Sequence, residues 1–244
     1  MRGLVGGALL TLAACGTATA GGGGDGSPGV AAQGSGGTRT YPVTGFTAIS
    51  SRGSDAVDVR VGPGFSVRAD GDPKLLDQLR ISLDGTTLRI DRRRGDGWSW
   101  GGKGARIAVT LPRLTAAAIA GSGDMTIDRV AGPSFKADGA GSGALSVGAL
   151  QVDRADISLA GSGAIKLGGT VKRLSVSIAG SGDVEARGLT AAEADVSVAG
   201  SGGVRAVVDG PARVSVMGSG DVDLGGRARC QTSKMGSGSV RCGG

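Results

Sequence analysis

From residue 117 onward, apolar and polar positions alternate in short bursts, and the same tripeptide, Gly-Ser-Gly, keeps separating them. It starts at Gly121, Gly141, Gly161, Gly180, Gly200, Gly218 and Gly236, in steps of 20, 20, 19, 20, 18 and 18 residues. Aligned on its first glycine, the chain resolves into apolar columns. Two positions before stand Ile119, Gly139, Leu159, Ile178, Val198 and Val216, and four before stand Ala117, Ala137, Ile157, Val176, Val196 and Val214. Four positions after stand Met125, Leu145, Ile165, Val184, Val204, Val222 and Val240, and six after stand Ile127, Val147, Leu167, Ala186, Ala206 and Leu224. Alternation with period two on both sides of a turn predicts a strand, a corner and a second strand. A further apolar position about nine residues after the triplet (Val130, Leu150, Val171, Leu189, Val208) predicts a third short strand facing the same lumen.

A fixed period of this size is the signature of a solenoid, in which one coil cannot bury its apolar face alone and must stack on its neighbours. The spacing leaves no room for a useful helix, so the expected fold is all-β, a parallel β-helix with 18–20 residues per coil. Glycine suits a corner because it reaches positive φ without a Cβ penalty. Coils about 4.8 Å apart also leave little space there. Ser122, Ser142, Ser162, Ser181, Ser201, Ser219 and Ser237 are expected to form a ladder of hydroxyls along the corner.

Residues 39–115 read differently. Val57-Asp58-Val59-Arg60-Val61 alternates as a strand. Asp72-Pro73 ahead of Lys74-Leu75-Leu76 reads as an N-cap with proline in the first turn of a short helix. Ile81 to Leu88 reads as a hairpin turning at Asp84-Gly85. This block is expected to start and cap the stack, because an open solenoid end exposes apolar surface and strand edges.

At this point the chain resembles the putative autotransporter-adhesin head (GIN) domain family of bacterial envelope proteins. The resemblance runs from about Phe46 to the end. It rests on the Gly-Ser-Gly-Asp corners at Gly121, Gly180 and Gly218 and on the block from Leu75-Leu76 through Thr87-Leu88-Arg89-Ile90 to Val109-Thr110-Leu111-Pro112. It implies a right-handed parallel β-helix and carries over no catalytic residue.

The first residues set the compartment. An apolar run from Leu4 to Ala14 follows Arg2 and ends at Cys15, too short to span a bilayer as a mature helix. It reads as a secretory signal. Leu12-Ala13-Ala14-Cys15 resembles a bacterial lipobox, which implies lipidation of Cys15, and in a two-membrane bacterium an outer-membrane or periplasmic lipoprotein held to the membrane by its lipid. The alternative is cleavage after Ala18-Thr19-Ala20 and secretion. The expected layout is a signal peptide over 1–14, a lipidated Cys15 with a Gly-rich tether over 15–38, the capping block over 39–115 and the repeats over 116–244. Gly21, Gly23 and Gly26 match a dinucleotide fingerprint formally, but no strand precedes them and no helix follows.

With Cys15 set aside, Cys230 and Cys242 remain, six positions before and six after Gly236. Both fall in inward-facing columns of the last coil. In an oxidising envelope they are placed to bridge, the alternative being two buried thiols.

The charge is uneven: residues 38–115 carry 13 basic and 8 acidic side chains (+5), residues 116–244 carry 13 and 12 (+1). The excess includes Arg92, Arg93 and Arg94, close to Trp98 and Trp100, the only tryptophans. Arginine beside tryptophan in a glycine-rich loop suits anionic sugars or headgroups, and a solvated loop with its rings folded onto the β surface is the plainer alternative. A surface glycan or an envelope protein is thus an expected partner and nucleic acid is not.

Catalysis is not expected. The chain has no histidine, so the usual general base is missing. Asp124, Asp183 and Asp221 sit two or three coils apart, too far to act as a carboxylate pair. No cofactor or metal is implied. The function read from sequence is a non-catalytic exported lipoprotein, adhesive or structural. The alternative is a carbohydrate-binding module or degenerate polysaccharide-active enzyme using the 92–100 loop.

Overall fold

The computed structural model describes residues 29–93 and 104–243. They form a β-solenoid of parallel coils. Corner glycines stack in one column: Gly53, Gly121, Gly141, Gly161, Gly180, Gly200 and Gly218 align by register, and Gly236 follows. All eight have φ between +111° and +130°. The inward columns close over an apolar lumen, where Met125, Leu145, Ile165 and Val184 are fully buried in succession. Gly139, the one gap in its column, is filled from the next coil. A Cβ there would lie 2.8 Å from Leu159 Cδ1.

Backbone contact makes the corner triplet obligatory. The N–H groups of Ser142 and Gly143 both donate to Gly121 O, at 2.9 and 3.0 Å, and the same pair of bonds recurs at Ser162 and Gly163 on Gly141. The serine side chains between them face solvent. The expected hydroxyl ladder does not form among the described residues, because the amides already hold the coils together and the hydroxyls point away from the stack. The third residue of the triplet is glycine for a different reason from the first. Its φ is not positive, yet a Cβ on Gly143 would sit 2.1 Å from Gly123 O and one on Gly182 2.5 Å from Gly163 O.

One expected column is in fact two. Leu150 aligns with Val130 and Gly169, whereas Val171 aligns with Val152 and Ala191. The coil starting at Gly161 is one residue short, and the register slips between Val147 and Leu150 to absorb it. Gly169, at φ +121°, makes the adjustment.

The sequence also hides a first coil. Strand Ala48–Gly53 pairs in parallel with Ala116–Gly121, and strand Ala56–Val61 with the start of Met125–Gly141. Gly53-Ser54-Asp55 is therefore a corner in register with Gly121-Ser122-Gly123. Residues 62–115 are an insertion between this coil and the next. As expected, the insertion caps the stack. Strand Thr87–Arg92 lies in parallel on 48–51, and Arg106–Leu111 lies in parallel on 56–61, which together lay an end rung beneath the first coil. The expected helix spans Pro73–Gln78, with the Asp72 carboxylate accepting from Lys74 N at 2.8 Å. The hairpin Leu79–Asp84/Thr87–Arg92 turns through Gly85 at φ +57°. Phe46 and Phe65 pack 5.0 Å apart near this end.

The tether expected over 15–38 is held at its far end. Val30 N donates to Ile81 O at 2.7 Å, Gln33 and Thr40 exchange two bonds of 2.8 Å, and Thr38–Thr40 adds an antiparallel strand to Ser66–Asp70.

Candidate functional site

The Arg/Trp segment springs from the corner column. Its root is set by Arg92, which ends one strand, and by Gly104 and Ala105, which lead into the next. A Cβ on Gly104 would lie 2.2 Å from Ser54 O, so the segment's far root is pressed against the first corner.

A buried ion pair locks this root. Asp55 is 1% exposed; both its oxygens accept from the Arg92 guanidinium, and Oδ1 also accepts from Ala105 N at 2.8 Å. The hydrogen bond to Asp55 raises the Arg92 pKa, against a smaller lowering by burial. The third position of a corner points at the preceding coil, which forces glycine wherever a full coil lies there. At the first corner the neighbours are Gly104 and Ala105 at the root of the 92–100 segment, and the place is taken by a carboxylate that accepts from Ala105 N. Arg92, expected to face a ligand, is turned inward and serves the fold. Arg93 donates its backbone N–H to Gln78 O at 2.8 Å and is exposed. Arg94, Trp98 and Trp100 lie outside the described residues, as does Cys15. Asp55 was missed in the sequence, although Gly53-Ser54-Asp55 differs from a corner triplet at one position only.

At the other end, Cys230 and Cys242 form a disulfide with their Cα atoms 6.1 Å apart. They continue the columns of Ala212 and Leu224, as expected, and both are partly exposed. Lys234 occupies the column of Val216 and turns its ammonium to Gly238 O at 2.8 Å.

The acids after the corners have a structural role that spacing alone did not reveal. Asp124 accepts from Ala144 N at 2.8 Å, Asp183 from Gly203 N at 2.9 Å, and Asp221 from Ser239 N at 3.0 Å and from Ser239 Oγ at 2.6 Å. Each carboxylate staples its coil to the next. The bonds from Ser239, its hydroxyl first, hold Asp221 below the usual carboxylate range. The next coil offers a small or hydroxyl residue in that place, so two carboxylates never stack 4.8 Å apart. Among the described residues, no group of three or more His, Cys, Asp or Glu is placed to hold a metal ion.

The family model described as "Putative auto-transporter adhesin, head GIN domain" matches residues 45–228. The chain belongs to this family. Its match begins at the hidden first coil and covers every corner but the last. Among solved structures, a putative adhesin from Bacteroides fragilis is 21% identical with a TM-score of 0.77, over 84% of this chain and 95% of that one. A "Putative lipid binding protein" from Parabacteroides distasonis is 25% identical with a TM-score of 0.67, over 84% and 95%. A putative adhesin from Parabacteroides merdae is 18% identical with a TM-score of 0.66, over 84% and 94%. No curated protein matches the chain.

Proposed function

We propose that the chain is an exported, lipid-anchored envelope protein that works without catalysis, as an adhesive or structural solenoid. The observation that carries this reading is how the repeat carboxylates are engaged. Those of the corners bond to backbone amides of the next coil, and the buried Asp55 bonds to the half-buried Arg92. None of these corner carboxylates stands in a pair facing a groove, as acid–base chemistry on a glycan requires, and Glu193, which lines a groove, is paired with Arg173. Membership of an adhesin family supports an envelope or surface location. The lipid anchor rests on Cys15 and its preceding Leu-Ala-Ala. Replacing Cys15 by Ser should abolish incorporation of labelled palmitate. Label that persists, or a mature chain beginning at Gly21, overturns the anchor.

The second reading is a carbohydrate-binding module acting through the 92–100 loop. Its support is the arginine and tryptophan content of 92–100, together with the Asp55–Arg92 pair that fixes where this segment leaves the fold. A glycan signal lost on Trp98→Ala and Trp100→Ala would favour it over a purely structural role.

A further inference from the structure

The solenoid carries a groove of about 500 Å³ on the opposite end from the loop, and its origin is a change in coil length. The coil that starts at Gly200 is two residues shorter than its predecessor. It omits residues after Ala206 and regains one before Ala212, through Asp209-Gly210-Pro211. One outward column then reads Arg173, Glu193, Pro211, Arg229. A short proline ring between two long charged side chains opens a notch. The neighbouring outward column, two residues along each strand, places Asp195, Arg213 and Gln231 on its wall.

The charges in this notch are unevenly satisfied. Arg173 is paired with Glu193. The Arg213 and Arg229 guanidiniums have no ion-pair or hydrogen-bond partner among the described residues, although Asp195 precedes Arg213 in its column. Adjacent coils and a two-residue offset put the Arg213 and Arg229 Cα atoms about 8 Å apart. Both guanidiniums can reach one oxyanion between them, with ten N–H donors. With Arg173 and Glu193 neutralising each other, Arg213, Arg229 and Asp195 leave a net charge of +1. That balance fits a single carboxylate better than a phosphate dianion, which would face Asp195 and Glu193 directly. Asp195 and Gln231 supply acceptor and amide groups for hydroxyls, and the Pro211 ring supplies an apolar floor.

We propose that this groove binds an acidic saccharide of the uronate type, its carboxylate held between Arg213 and Arg229 and its hydroxyls by Asp195 and Gln231. The proposal deepens the adhesive reading and rests on it for the source of the ligand, a glycan at the envelope. The far wall belongs to the last coil, beside Cys230, so the terminal disulfide holds the groove's shape.

The test is calorimetric titration of the full chain, disulfide intact, with a galacturonate trisaccharide. The neutral galactose trisaccharide and inorganic phosphate are the comparators. The acidic sugar should bind at least about tenfold more tightly than the neutral one, and less tightly as salt rises. Arg213→Gln and Arg229→Gln should each weaken it about tenfold or more, as the loss of a charge-assisted contact does. Arg154→Gln, exposed and outside this groove, should leave it unchanged. Equal binding of the neutral sugar, indifference to the two variants, or phosphate binding as tightly as the trisaccharide would overturn the assignment. Adhesion of chain-coated beads to envelope preparations separates the two readings. Adhesion that survives both substitutions sinks the groove alone, and trisaccharide binding without adhesion sinks the adhesive reading alone.

Discussion

Gly182→Ala is the substitution that separates backbone preference from inter-coil contact. Gly182 does not have positive φ, so propensity alone treats alanine as harmless, and a less flexible unfolded chain would even gain about 0.4–1 kcal/mol. The stack predicts the opposite. The new Cβ would lie 2.5 Å from Gly163 O and 2.8 Å from Leu159 Cδ2. Reaching ordinary contact means parting two coils by somewhat under 1 Å, with the Asp183 N–H bond to Gly163 O, 3.1 Å long, on the same carbonyl. Overpacking of this kind costs about 1–3 kcal/mol, and loosening the bond adds about 0.5–1.5. The net loss is about 1–4 kcal/mol, or roughly 3–12 °C in a domain of this size. Gly203→Ala is the control. Its Cβ would clash only with the Asp183 carboxylate, 2.6 Å away, with Asp221 O in ordinary contact at 3.6 Å; the carboxylate can swing out at the expense of its bond from Gly203 N, so the change should stay within about 1 kcal/mol. Gly180→Ala should exceed both, since φ +128° adds about 1–3 kcal/mol of strain. Thermal and urea unfolding followed by far-UV circular dichroism give the order. A Gly182→Ala protein as stable as Gly203→Ala would refute the reasoning.

Three further outcomes are expected. Asp55→Ala strands the Arg92 guanidinium and Ala105 N–H, and should lower the urea-derived stability by about 3 kcal/mol; a loss under about 1 would show that the lock is idle. Reducing Cys230–Cys242 should remove roughly 3 kcal/mol on the chain-entropy model, with hydrogen exchange rising first over residues 227–243; uniform exchange along the solenoid would contradict this. Asp221 and Asp70 both have folded pKa values below their unfolded ones, Asp221 through its bonds from Ser239 and Asp70 through the Arg68 and Thr38 side chains, so their contribution is present above about pH 4 and lost as pH falls through the folded values. Asp221→Asn should flatten that acid limb of the stability profile, and an unchanged limb would count against it.

The repeats were legible because period-two alternation and a recurring triplet report local geometry. Every expected column position from Ala117 to Leu224, Gly139 included, lies where the pattern put it apart from the third strand, where a one-residue deletion hid behind an apolar residue on either side. The first coil was not legible as a coil. Its corner has Asp55 for the last glycine, and 62–115 separates it from its stacking partner, so no fixed period connects Gly53 to Gly121. The corner acids were visible, but their partners are backbone amides one coil away, which a list of side chains does not display. The groove was invisible for a similar reason. Arg213 and Arg229 lie 16 residues apart with nothing to mark them, and become neighbours only when the shortened coil sets Pro211 between Glu193 and Arg229.

The most direct test of the central claim, binding at the envelope without chemistry, is made on one surface. Full-length chain on beads is offered envelope glycan, and capture and new reducing ends are measured together. The account predicts saturable capture with no new reducing ends. Cleavage of the glycan, or capture no greater than on albumin-coated beads, would contradict it.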